Sequence, residues 1–156
     1  MTSLAVVGCS GWLPLLPDTR TPADRARELL PRCGPPADKE ALAALSPDLV
    51  EAVEPAYFTV LSGNDRAVRL RGARLHIRPT WSASPEALQR ALRCHQANVI
   101  LTHADGVPDD PYAVSGTWLD INVQSGDDGL VASVLVDRFE YARDVLDRAR
   151  GFTTRR

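Results

Sequence analysis

Between Arg66 and Arg78 apolar and polar residues alternate, but the phase of the alternation changes once. Val68 and Leu70 are even-numbered, Leu75 and Ile77 are odd-numbered, and Gly72 lies between the two pairs. A strand can keep one buried face through such a switch only if it holds an extra residue. The pattern therefore predicts a β-bulge at Gly72-Ala73 or, as the alternative, a tight turn between two short strands. The two-residue period returns at Thr117, Leu119, Ile121 and Val123. After turn-type residues at 125–129, the apolar run 130–136 completes a hairpin.

Elsewhere the apolar spacing is helical. Leu88, Ala91, Leu92, His95 and Val99 recur at intervals of three and four, which predicts a helix from Pro85 to about Asn98 with one apolar face. Ser84-Pro85 opens it. The same device, an N-cap hydroxyl before a proline at the first helical position, stands at Thr21-Pro22 and Ser46-Pro47. The first of these predicts a helix ending near Leu30, with Asp24 suited to the helix dipole, and the second a helix over 48–54. A further helix is expected over 38–45, and loops over 31–36 and 103–116. Asp137, with Glu140 three residues on, reads as a capping box opening a last helix over 138–150, and Val136 can staple against Tyr141. Its apolar stripe is Phe139, Ala142, Val145, Leu146 and Ala149. Gly151 is placed for a left-handed C-cap, with Phe152 making the accompanying contact.

The order β-α-β-β-α, preceded by short N-terminal helices, predicts an α+β fold. In it a small, mainly antiparallel three-stranded sheet carries helices on one face. At 156 residues the chain has room for one domain, assigned to 21–156 with an N-terminal helical part at 21–55. Hydrophobic residues at 44% are enough for a core. Eighteen basic residues, all Arg except Lys39, stand against twenty acidic ones. The net charge of -2 argues against a dedicated nucleic-acid binder, and no run approaches the ~20 apolar residues of a membrane span.

Residues 1–20 carry a different signal. Val6-Val7-Gly8-Cys9 resembles the lipobox of exported bacterial lipoproteins, in which aliphatic and small residues precede the cysteine that receives lipid. The resemblance covers these few residues and points to no domain family. It implies an envelope protein, periplasmic or membrane-anchored, lipidated at Cys9 and attached to the membrane through that anchor. A signal peptide needs a basic start and an apolar stretch of ~7–15 residues. The run here is Leu4 to Val7 and the first basic residue is Arg20, so Met1 is expected to lie inside a longer signal, with residues 1–20 a truncated signal and a proline-rich segment. The alternative is that residues 3–8 form an ordinary buried strand in a cytoplasmic protein. A dinucleotide-binding turn at 8–11 is excluded, because Pro14 and Pro17 forbid the helix that must come after it.

Candidate chemistry is sparse. His76, Cys94, His95 and His103 lie within 28 positions and offer ligand types suited to zinc or copper. Cys94 and His95, adjacent on a helix, point about 100° apart, so their spacing is not that of a known site. The plain alternative is a core histidine, a small buried thiol and two exposed imidazoles. If Cys9 is lipidated, Cys33 and Cys94 remain as an even pair that can form a disulfide. Arg69, Arg71, Arg74 and Arg78, with His76, line the polar side of the predicted strand. They form either a face for an anion or an acidic partner, or a solvated edge kept from aggregating by charge. The acids Asp105, Asp109, Asp110, Asp127 and Asp128 lack the order of a calcium loop and read as turn residues. No nucleophile elbow, phosphate-binding glycine loop or zincin motif is present. The expected function is a binding or structural module of the cell envelope, with a protein partner possible, an open oligomeric state, and a metal-binding or redox role as the alternative.

Overall fold

The structure, a computed structural model, describes residues 19–34, 46–62, 65–78, 84–102 and 109–154. Helix α1 spans Pro22–Leu29, strand β1 Val50–Ser62, β2 Asp65–Ile77, helix α2 Pro85–Thr102, β3 Leu119–Gly126, β4 Gly129–Val136 and helix α3 Ala142–Thr153. The strands form one antiparallel sheet in the order β1-β2-β4-β3. The fold is α+β. The Cys9 lipobox, the helix expected over 38–45 and His103 lie outside the described residues.

The sheet has four strands where the sequence suggested three. Ser46-Pro47 opens only a single 3-10 turn, Pro47–Leu49, and the helix expected over 48–54 is instead the start of β1. A proline at the first helical position fixes one turn and says nothing about the next. Strand β1 contains Val50, Val53, Tyr57, Phe58, Thr59 and Val60, β-branched and aromatic types that suit a pleated surface. Pro55 is tolerated because β1 is an edge strand.

The phase switch in β2 is a bulge within one continuous strand. Ala56 pairs with Gly72 and Tyr57 with Leu70, so the extra residue is Arg71, one position before the expected 72–73. Gly72 has φ of +149°, and a Cβ there would lie 2.0 Å from the Val134 carbonyl oxygen of β4. Only glycine lets the central strands approach that closely.

Alternate residues on three strands point to one face and are buried. They are Ala73, Leu75 and Ile77 of β2, Leu119, Ile121 and Val123 of β3, and Leu130, Ala132, Val134 and Val136 of β4. Leu88 and Leu92 of α2 and Ala142, Val145, Leu146 and Ala149 of α3 cover that face. Tyr112 and Val114, in the segment before β3, close one end of the core.

The last helix departs from expectation at both ends. Residues Phe139–Tyr141 form a 3-10 turn, and α3 begins at Ala142 without a side-chain cap. Asp137 instead pairs with Arg25 of α1, Nη1 to Oδ2 at 3.1 Å, and Glu140 pairs with Arg138. The tighter turn rotates Phe139 off the buried stripe, leaving it 41% exposed. Gly151 lies inside the helix, where a Cβ would press on Asp109 at 2.9 Å, and the helix runs on to Thr153. Phe152 is buried against Tyr112 with ring centroids 6.0 Å apart.

Candidate functional site

Helix α1 is built as its sequence indicates. Thr21 accepts from the Asp24 backbone N–H while the Asp24 carboxylate accepts from that of Thr21. The Thr21 hydroxyl, donating to Asp24 Oδ2 at 2.6 Å, and then the Thr21 N–H hold the Asp24 carboxyl below its ordinary pKa. Just beyond the helix, Cys33 is joined to Cys94 of α2 by a disulfide, S–S 2.04 Å and Cα–Cα 5.7 Å. The bond ties α1 to the domain across 61 positions of sequence.

The candidate metal residues are not gathered. His76 pairs in register with Ala52 and Val131 on the face of the sheet away from the helices, and its Nε2 lies 3.5 Å from Glu54. Cys94 and His95 belong to α2 on the other face, and Cys94 is committed to the disulfide. Two layers on opposite sides of a sheet cannot share one ion. Among the described residues no group of three metal-ligating side chains converges.

His95 has a different partner. Its Nε2 meets Asp110 Oδ2 at 2.6 Å, and Oδ1 of the same carboxylate accepts from the Tyr112 N–H at 2.9 Å. Asp110 is buried, so its charge is held by these two donors. A carboxylate behind an imidazole is also found in nucleophilic sites. Here, among the described residues, no hydroxyl or thiol bonds to the ring. The arrangement fastens residues 110–112 to α2. The Tyr112 phenol is buried without a hydrogen-bond partner among the described residues; burial and then the Asp110 charge push its pKa well above 10.0.

The arginines of β2, and Arg78 just after it, are partly engaged. Arg71 donates from Nε to the Val136 carbonyl at 3.1 Å, and its guanidinium lies 5.1 Å from the Phe58 ring centroid. Arg69 lies 5.8 Å from the Phe139 centroid. Arg78 pairs with Glu51 at 2.8 Å, while Arg74 is exposed opposite Glu54. The bulge keeps Arg69 and Arg74 on one face although five positions separate them.

Of these arginines Arg69 belongs to a projecting arm. Pairing of β2 with β4 stops at Gly72, so residues 57–62 and 65–70 form a two-stranded ribbon with no third strand beside it among the described residues. Tyr57, Phe58, Leu61 and Val68 are exposed on this arm, and Phe139 is exposed beside its base. A groove of about 260 Å³ lies between α1 and the α2–β3 side, lined by Arg20, Arg25, Arg32 and Arg93 with Trp118. Ion pairs to Glu28, Asp137 and Asp120 occupy its arginines.

The two long edges of the sheet are treated differently. Along β3, α2 side chains take up the outward backbone groups. Gln89 accepts from the Val123 N–H at 2.9 Å and Arg93 donates to the Ile121 carbonyl at 2.9 Å. Gln96, in the amide orientation that satisfies both its groups, bonds the Leu119 carbonyl at 3.2 Å and the Leu119 N–H at 2.6 Å. Along residues 56–61 of β1 no described side chain does this. The apolar period of α2 hid the role of Gln89, Arg93 and Gln96, since polar residues beside an apolar stripe ordinarily face water. The arm carries a legible signal in the uncharged run Ala56-Tyr57-Phe58-Thr59-Val60-Leu61-Ser62.

The geometry defines an antiparallel α+β domain with one covered sheet edge and one open apolar arm. Compared with protein-family models, curated proteins and solved structures, the chain matches none. Among the described residues no helix is long and apolar enough to cross a membrane.

Proposed function

We propose that the protein is an exported bacterial envelope protein, lipid-anchored through Cys9, that works by binding or structural association. The observation that carries this reading is the Cys33–Cys94 disulfide. Such bonds persist in oxidising compartments and are rare in the cytosol. The pairing leaves Cys9, the lipobox position, as the one cysteine outside it. The exposed aromatic and aliphatic side chains of the β1–β2 arm suit a role in association, since contiguous apolar surface marks interaction sites. The reading is tested by supplying a labelled fatty acid to cells that make the protein from its own chromosomal locus. Label should enter the protein and disappear in Cys9→Ala. No label, or label that survives Cys9→Ala, overturns it.

A further inference from the structure

We propose that the outer edge of β1 between Pro55 and residue 62 is a self-pairing edge, and that its partner is a second copy of this chain. The two arms would lie antiparallel about a two-fold axis at Thr59. Four observations converge on this edge. First, among the described residues nothing pairs with it, whereas the opposite edge of the same sheet is covered by Gln89, Arg93 and Gln96. An unpaired row of backbone donors and acceptors is a template for another strand. Second, the seven residues 56–62 contain no charge and no proline and are rich in β-formers, the composition that favours added pairing. The earlier half of β1 is guarded instead by Glu51, Glu54 and Pro55.

Third, the run is self-complementary. An antiparallel pairing centred on Thr59 sets Tyr57 against Leu61 and Phe58 against Val60 of the other copy, and Ala56 against Ser62. Aromatic–aliphatic neighbours of that kind are favourable cross-strand pairs. In this register Pro55 falls outside the paired stretch 56–62, so its missing N–H costs nothing and it sets the limit of the contact. No like charges are forced together. Arg66, Arg69 and Arg71 lie on β2, and the two β2 strands would be separated by roughly 14 Å, more than a Debye length in physiological salt.

Fourth, both faces of the arm are apolar. Tyr57, Leu61 and Val68 lie on the helix side and Phe58 on the other, as their pairings with Leu70, Arg66, Thr59 and Arg69 require. With Phe139 they expose apolar surface on the order of 500 Å², near the upper end for a monomer. A partner that covers one face would leave the other wet. A strand added in the plane of the sheet brings Tyr57, Phe58 and Leu61 of β1 each a neighbour on its own face and joins two sheets of four strands into one of eight.

The inference goes beyond the proposed function and does not depend on lipidation. It is tested on the full chain carrying Cys9→Ser, with the Cys33–Cys94 disulfide intact. Sedimentation at tens of micromolar should give a species of about 34 kDa, twice the 17.0 kDa chain. Thr59→Cys should cross-link to itself on mild oxidation, because residue 59 faces residue 59, while Tyr57→Cys alone should not. Phe58→Lys with Val60→Lys should weaken association at least ~10-fold, and Phe58→Lys with Val60→Glu should restore it. That rescue fixes the register, and circular dichroism of the double-lysine variant shows that it remains folded. A 17.0 kDa species at every concentration with no Thr59→Cys cross-link overturns the inference, and vesicle binding by such a monomer would assign the arm to a lipid surface. A dimer indifferent to both charge variants also overturns it.

Discussion

Replacing both Cys33 and Cys94 with alanine should destabilise the domain by about 4 kcal/mol. The two residues are 61 positions apart, and closing a loop of that length in the denatured chain removes entropy worth roughly that amount at 25 °C. A domain of this size has a total stability of about 5–15 kcal/mol, so the loss is a large part of it. The local consequence depends on how α1 is held. Its described attachments include packing against α2, buried Ala26, the Arg25–Asp137 pair and the disulfide. Without the covalent tie, the amides of α1 should exchange with solvent before those of the central strands β2 and β4. Urea unfolding of the oxidised protein against the double variant measures the global effect, and hydrogen exchange the local one. With m of about 1–3 kcal/mol/M, the midpoint should fall by on the order of 2 M. A difference below about 1 kcal/mol would refute the reasoning, since the denatured chain would then already be restricted without the bond.

Gly72→Ala should cost more than about 4 kcal/mol or prevent folding, because its Cβ would meet the Val134 carbonyl oxygen at 2.0 Å; circular dichroism of the purified variant checks this. Tyr112→Phe should leave stability unchanged or raise it by up to about 1 kcal/mol, since it removes a buried hydroxyl without a partner. The raised Tyr112 pKa favours the neutral phenol in the folded state. Its contribution is therefore complete below pH 10 and lost as pH rises towards the folded value, and thermal melts across pH 9–12 should show that alkaline loss reduced in Tyr112→Phe. Asp110→Ala should destabilise by about 2–3 kcal/mol by stranding the Tyr112 N–H and the His95 ring, measurable by urea titration. In the same titration Leu146→Ala should cost about 2–5 kcal/mol and Asp137→Ala under about 1 kcal/mol, because Leu146 is core and Asp137 is half of an exposed ion pair rather than a helix cap.

Much of the domain was legible where the pattern is dictated by burial on one face. The β3–β4 hairpin, the apolar stripe of α3 from Ala142 to Ala149 and the extra residue in β2 all arise from alternation or helical spacing. Strand β1 was not legible for a definite reason. Its first half, with Glu51, Glu54 and Pro55, carries the polar and proline marks of an edge, and its second half is apolar on both faces, so neither half shows a clean two-residue period. Phe139 illustrates a second limit. Its spacing from Ala142 fits an α-helical stripe, yet one tight turn at 139–141 rotates it outward. His76 does not join His95, because proximity in sequence placed them on neighbouring elements without saying that the sheet would stand between them. The edge-covering set Gln89, Arg93 and Gln96 is readable only once β3 is known to be an edge.

The most direct measurement is mass spectrometry of the protein recovered from the membrane fraction of its own cells, digested without reduction. Export and anchoring predict a lipid-modified N-terminal peptide beginning at Cys9, together with a cross-linked peptide pair containing Cys33 and Cys94. An unmodified Cys9 within a continuous peptide, from protein recovered in the cytosol with free thiols at positions 33 and 94, would contradict it.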